Sequence, residues 1–215
     1  MKRDELWEEA ARVVRGDVRG LLSVREDLER RWSQPHRGYH DLRHLDEVLR
    51  ALAELRPSAI ENDRDWAGAV LAAWFHDAVY DVETPADNER LSSQLARTAL
   101  SGSGVDRRVV DLTCSLVEAS QTHEVSETTG PQAAFHDADL WILGAPTERF
   151  DGYCDDVRRE YASVPDDAFA TGRSAILRPF LERGSVYRTD HARRRWEASA
   201  RDNLGRELDR LARRS

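Results

Sequence analysis

Lysine is nearly missing from this 215-residue chain: Lys2 is the only one, and every other permanently charged basic side chain is arginine. Guanidinium groups suit phosphate, but a bias spread along the whole sequence reads as compositional and carries no weight for a site. Cysteine is scarce as well. Cys114 and Cys154 stand alone without a Cys-x-x-Cys spacing, which excludes a disulfide framework or a cysteine-rich zinc site and fits a reducing cytoplasm. The longest apolar run, Ala69 to Phe75, is far below the roughly 18 residues of a membrane span. The opening stretch MKRDELWEEAARVV is charged from its start and lacks the apolar centre of a signal peptide. A soluble cytoplasmic protein with no membrane partner is the expectation. Positive excess is lacking too. A formal net charge of −8 speaks against coating nucleic acid by counterion release, yet leaves room for a local basic pocket holding a small phosphate ester.

Strand patterns, internal repeats and long linkers are also absent, so the sequence reads as one all-α domain over residues 1–215. Hydrophobic residues at 40% and charged residues at 33% suit amphipathic helices around one core. Leu6, Val13, Val14, Leu21, Leu22 and Leu28 recur at helical spacing, with Gly16 and Gly20 placed to kink or divide that segment. His40 to Leu55 repeats the pattern and is expected to end before Pro57. Asp65 to Tyr80, the most apolar segment, is expected to be the central helix. Thr84-Pro85-Ala86-Asp87 reads as a helix start, with a hydroxyl cap, an early proline and an acid near the positive end of the dipole. That helix runs to about Leu100, Val105 to about Gln121 supplies the next, and Gln132 to Leu143 a short one closed by Gly144. Thr147–Tyr161, Asp166–Glu182 and Asp190–Ala212 complete the expected set.

The chemistry-bearing residues fall into four short stretches. YHDLRH holds His40 and His44, which on one helix would share a face four residues apart. WFHDAVYD follows with His76-Asp77 and, one turn later, Asp81. Adjacent imidazole and carboxylate suit a divalent ion such as Mn, Fe, Co, Ni, Zn or Mg. FHDADLWILG then places Asp137 and Asp139 in an apolar helix, where a carboxylate calls for a cation or strong hydrogen bonds. Either could close the ligand set. His123, His136 and His191 taken singly are better read as hydrogen-bonded core residues, with His123 in QTHE the one to test. Trp74, Phe75 and Trp141 read as core packing, and Asp87 as a residue that favours its helix dipole.

The ordered elements His44, His76-Asp77 and Asp139 resemble the H…HD…D signature of the HD superfamily of metal-dependent phosphohydrolases. YHDLRH, WFHDAVYD, Asp87-Asn88-Glu89, DADLWILG and Arg158-Arg159-Glu160-Tyr161 are similar, in order, to blocks of one uncharacterised bacterial family of that superfamily. The likeness covers residues 39–187, within a motif-bearing core of about 36–187. It implies a helical bundle with His44, His76, Asp77 and Asp139 as metal ligands, Asp139 being favoured over Asp137 because it follows an alanine. His40, Asp137 and His123 remain additional candidates.

Four protein ligands on a six-coordinate ion leave two positions for water and a phosphate oxygen, which predicts hydrolysis of a small phosphate ester, with a nucleotide among the candidate substrates. Asp81 and Glu89 are candidates for proton transfer, and Arg37 and Arg158 for neutralising phosphate oxygens. Two other classes compete with this reading. A di-iron oxygenase would need ligands such as His40 or His123, and a ligand-binding module would keep the metal as a staple without an open coordination position.

Overall fold

The structure is a computed structural model that describes residues 2–213. Among them there are ten α-helices and no strand, in the order α1 (Arg3–Val14), α2 (Val18–Trp32), α3 (Leu42–Ala59), α4 (Asp63–Phe75), α5 (Asn88–Gly102), α6 (Arg107–Ala119), α7 (Gly130–Asp139), α8 (Thr147–Glu160), α9 (Asp166–Glu182) and α10 (Asp190–Ala212). Short 3-10 turns, Pro85–Asp87 and Leu140–Gly144, precede α5 and follow α7.

The first apolar stripe is split where the glycine signal lies. Arg15 turns left-handed at φ 55°, and a Cβ on Gly16 would sit 2.8 Å from the Ser103 carbonyl oxygen. Only glycine lets the two backbones meet there. Asp17 then caps α2, its carboxylate accepting from Gly20 N–H at 2.7 Å.

Helix α3 passes the expected stop and carries Pro57 inside its last turn. Proline there forfeits one hydrogen bond, and the turn still closes, with Ile60 N–H donating to the Arg56 carbonyl at 3.0 Å. Thr84 does not cap α5. Its hydroxyl donates to Asp81 instead, and α5 begins after the 3-10 turn.

Helix α4 is central, as its composition demands. Every residue from Trp66 to Phe75 is buried, and the helix packs against α1, α3, α5, α6 and α7. A helix apolar all round is stable only when covered on all sides. It ends five residues short of the expected Tyr80, at Phe75, with His76 as its C-cap. Residues 77–81 turn away because their backbone groups find other partners. Val79 N–H donates to Ser92 Oγ, Asp81 N–H to Asn88 Oδ1, and the Asp77 and Ala78 carbonyls accept from Arg37. No described helix is long and apolar enough to cross a membrane.

Candidate metal centre

His44 lies in the first turn of α3, where the Asp41 carboxylate accepts from the Arg43 and His44 N–H groups at 2.8 and 3.2 Å. His76 caps α4, Asp77 follows it, and Asp139 is the last residue of α7. Two helix C-termini therefore converge on one place, and their partial negative charge favours a cation. Trp32 forms a wall, its ring 5.4 Å from His76 and 6.1 Å from His44.

The distances are those of groups that could share an ion. His44 Nε2 is 3.1 Å from His76 Nε2, and each lies 3.4 Å from Asp139 Oδ1. Asp77 Oδ2 is 3.1 Å from His76 Nε2 and 3.7 Å from His44 Nε2. Donors about 2.1 Å from a common ion stand roughly 3.0–3.4 Å apart in octahedral or tetrahedral geometry. His44, His76 and Asp139 form a cluster whose ligand atoms lie within 4.8 Å of one another. Asp77 adds a second carboxylate by the distances just given.

Each imidazole has a partner on its other nitrogen. His76 Nδ1 is 2.9 Å from the Ala73 carbonyl; since a carbonyl only accepts, Nδ1 carries the proton and a neutral ring presents a bare Nε2. His44 Nδ1 lies 2.9 Å from the Tyr39 hydroxyl, whose pKa burial drives well above the ordinary value, so that it stays neutral. Burial opposes a charged His76, but the Asp77 and Asp139 carboxylates outweigh it and hold the ring's pKa well above the ordinary histidine value. Burial likewise opposes a charged Asp139, and His76 and His44 overcome it, holding that carboxyl well below its ordinary range. Without a cation the cluster is therefore held together by protons.

Other expected residues sit apart from the cluster. Asp137 is fully buried, and its oxygens accept from Arg188 N–H, Thr189 N–H and the Thr189 hydroxyl at 2.7, 2.8 and 2.7 Å. It anchors the loop before α10. Asp81 is exposed and accepts from Glu83 N–H and the Thr84 hydroxyl. Arg37 spends its donors on Gln34 and on the carbonyls of His40, Asp77 and Ala78, stapling the loop before α3 to the turn after α4. Arg158 binds Asp166 and the carbonyls of Tyr161 and Val164. Neither guanidinium is left free to meet a phosphate, because internal acceptors satisfy it.

Three residues do border the cluster. Glu89 Oε2 is buried without a hydrogen-bond partner; burial, with help from Asp77 and Asp139, raises its pKa. His123, left-handed at φ 51°, puts Nε2 3.8 Å from Asp139 Oδ2, the oxygen on the far side from His44 and His76. His40 is not on α3 but in the turn before it, so the shared-face argument fails; its ring still comes to 5.7 Å, centre to centre, from that of His44. His136 and His191 behave as core or surface partners, with Nε2 on the Val186 carbonyl and on Glu54 respectively.

Glu160, which falls in the Arg158–Tyr161 stretch but is not among the expected site residues, borders the site as well. Its Oε1 accepts the N–H groups of Gly38, Tyr39 and His40, and its Oε2 lies 2.8 Å from His40 Nδ1 and 3.0 Å from the Tyr80 hydroxyl. The signal was available: Tyr153, Val157 and Glu160 share the buried face of α8, and an acid on an apolar stripe needs internal partners.

Comparison with protein-family models, with curated proteins and with solved structures finds no match to this chain.

Proposed function

We propose that the chain is a hydrolase of the HD type that acts on a small phosphate ester with the help of one divalent ion. The reading is carried by the convergence of His44, His76 and Asp139, joined by Asp77, with one histidine tautomer fixed by the fold. Two neutral imidazoles and two carboxylates match borderline-to-hard divalent ions and give an uncharged total when a dication is held.

A bound divalent ion would supply Lewis acidity, lowering the pKa of a water and polarising a phosphoryl oxygen. The chain's own groups do the rest. His44, His76, Asp77 and Asp139 fix the ion's position, and Trp32 closes one side against solvent. Glu89, with a buried oxygen that lacks an internal partner, is the group suited to take the proton of an attacking water. A metal kept only as a staple gives no reason to bury such an oxygen beside the cluster.

A second reading has one observation in its favour: Asp139 turns its other oxygen to His123, as a carboxylate shared by two ions would. Elemental analysis of the purified protein decides between them, followed by phosphate release from nucleotides and sugar phosphates with the ion restored. One redox-silent ion per chain with phosphate release is expected. Two irons with oxygen uptake would establish the other reading, and a chain that binds no divalent ion would overturn both.

A further inference from the structure

The chain carries a formal net charge of −8, yet Arg183, Arg188 and Arg193, in and beside the loop from α9 to α10, form no ion pair among the described residues. Gly184, Ser185, Arg188, Arg193 and Glu197 line an open depression of about 560 Å³ there. None of them belongs to the metal cluster. The Arg188 guanidinium makes no hydrogen bond among the described residues either, and its Nε is buried without a partner. Arg193 gives Nε to the Tyr187 carbonyl at 3.0 Å, which orients the side chain and leaves its terminal nitrogens without acceptors among the described residues. Arg183 stands close by: burial, and after it the Arg188 charge, lowers its pKa.

The one acid of the lining is already engaged. Glu197 accepts from the Ser185 hydroxyl at 2.9 Å, from Val186 N–H at 3.0 Å, from Tyr187 N–H at 3.2 Å and from Arg201 Nε at 2.9 Å. Its charge answers Arg201, and its oxygens hold the loop. The loop is fastened on its other side too, by Arg188 N–H donating to Asp137 at 2.7 Å and by the Val186 carbonyl 3.2 Å from His136 Nε2. Arg188 and Arg193 are therefore carried on a held frame, and a ligand there has little backbone to order.

A buried guanidinium nitrogen without an acceptor is unfavourable, and like charges near one another repel. A tetrahedral dianion relieves both, since its oxygens match the guanidinium fork. A carboxylate would match one fork, whereas several guanidiniums of one sign favour the higher charge of phosphate.

We propose that the depression between α9 and α10 is a second site, which binds a phosphate dianion, free or at the end of a small molecule, through Arg188 and Arg193. Arg188 offers Nε and a terminal nitrogen side by side, and Arg193 its terminal nitrogens. The depression falls within the roughly 300–1,000 Å³ of small-molecule sites, so an organic body fits beside the phosphate. The site shares no residue with the metal cluster and does not depend on the hydrolase reading.

Titration calorimetry tests it, with inorganic phosphate and with glycerol phosphate at constant ionic strength in chloride. Wild type is compared with His76→Ala, which lacks a ligand of the proposed ion and so gives phosphate no metal to meet. Saturable binding is expected in both proteins, and the tighter of the two probes tells whether the free ion or an ester is the better ligand. Arg188→Gln and Arg193→Gln should each weaken binding about tenfold or more. Their circular-dichroism spectra should not change, because the Arg188 backbone N–H keeps its bond to Asp137. Arg178→Gln, which removes an exposed charge of α9 outside the lining, should bind as wild type does.

Unchanged affinity in either Arg188→Gln or Arg193→Gln, an equal loss in Arg178→Gln, or no saturable binding to wild type would overturn the site and leave the hydrolase reading untouched. Binding that disappears in His76→Ala would also overturn it, by placing the phosphate on the metal. Binding that survives in His76→Ala, beside a metal-loaded wild type that releases phosphate from no ester, would keep this site and overturn the hydrolase.

Discussion

His76 Nδ1 donates to the Ala73 carbonyl at 2.9 Å, one turn back along its own helix. This local bond sets which nitrogen of His76 meets the neighbouring helices. A histidine at the C-terminal end of a helix can reach back to an unpaired carbonyl. The ring that results presents Nε2 to His44, Asp77 and Asp139 together. Chain geometry at the end of α4 thus fixes which nitrogen His76 offers to the cluster.

The first prediction concerns Tyr39, whose hydroxyl lies 2.9 Å from His44 Nδ1. Tyr39→Phe keeps the ring and its packing but removes the group that orients His44. Partners of this kind are worth about 10- to 100-fold in metal affinity. Titration calorimetry with Mn²⁺ or Zn²⁺ should show that loss, with the circular-dichroism spectrum unchanged. His76→Ala and Asp77→Ala should go further and leave no stoichiometric metal, again with the helical content retained.

Protons and metal ions compete for the same cluster. Asp77 and Asp139, working against burial, raise the His76 pKa well above its ordinary value, so in the metal-free protein the ring keeps its proton beyond the usual histidine range. Binding a dication must expel that proton. Metal affinity is therefore expected to rise with pH through and past the ordinary range. Calorimetry in buffers of different ionisation enthalpy should register proton release; an affinity flat from pH 6 to 9 would count against this assignment of charge.

By residue chemistry alone Asp137 and Asp139 are alike, both acids in one apolar helix two positions apart, and only the resemblance favours Asp139. The structure separates them by partners. Asp137 holds the Arg188 and Thr189 N–H groups and the Thr189 hydroxyl, while Asp139 faces two imidazoles. Asp137→Ala strands buried donors and should cost roughly 3 kcal/mol in stability, with the folded protein still binding metal. Asp139→Ala should abolish metal binding and also remove a partner of the charged His76 from the metal-free fold, without stranding any buried backbone donor. Urea unfolding and elemental analysis on the same preparations read both outcomes.

Periodicity made the helical class and the position of most helices legible, because an apolar stripe of period 3.6 determines both. His44, His76, Asp77 and Asp139 stand out in the sequence through the order of motifs that resemble the HD superfamily, and the structure brings His44, His76 and Asp139 together as a cluster that could hold an ion, with Asp77 beside His76. What stayed hidden depended on tertiary contacts. Arg37 and Arg158 looked free to bind phosphate, and nothing local shows that carbonyls from residues 40, 77 and 78, or 161 and 164, would claim their donors. The end of α4 was misplaced because Ser92 and Asn88, on another helix, hold residues 79 and 81 away from helical geometry.

The pairing of Glu160 with His40 should be visible in acid stability. Burial opposes the charged carboxylate, but the His40 contact and the backbone N–H groups overcome it and bring the pKa from 4.5 to about 2. A depressed carboxylate contributes stability that is present above its unfolded value and lost as pH falls through the folded one. The window runs from about pH 4.5 down to about 2, and the contribution is on the order of 3 kcal/mol. His40 acts from the other side: its pKa is raised above 6.5, by Glu160 working against burial, so its share is full below 6.5 and fades above. Glu160→Gln should lose stability at neutral pH and show a flatter dependence below pH 4.5 in urea titrations.

Gly38 gives the last prediction, because it seats the loop before α3 on α8 without carrying chemistry itself. A Cβ there would stand 2.5 Å from the Asp156 carbonyl oxygen and 3.0 Å from Glu160 Cγ. Neither the helix backbone nor the buried stem of Glu160 can yield cheaply, so Gly38→Ala must lift the loop off α8. Overpacking of this kind costs roughly 1–3 kcal/mol. The lifted loop takes the N–H groups of residues 38–40 away from Glu160, and the His40 ring loses its fixed angle. His44 sits beyond Asp41 on the capped end of α3 and should keep its place. The variant is expected to bind metal with near-normal affinity while its stability falls, which calorimetry and urea unfolding on one sample would measure. If metal affinity fell in step with stability, the loop would be supporting the cluster as well as the His40–Glu160 pair.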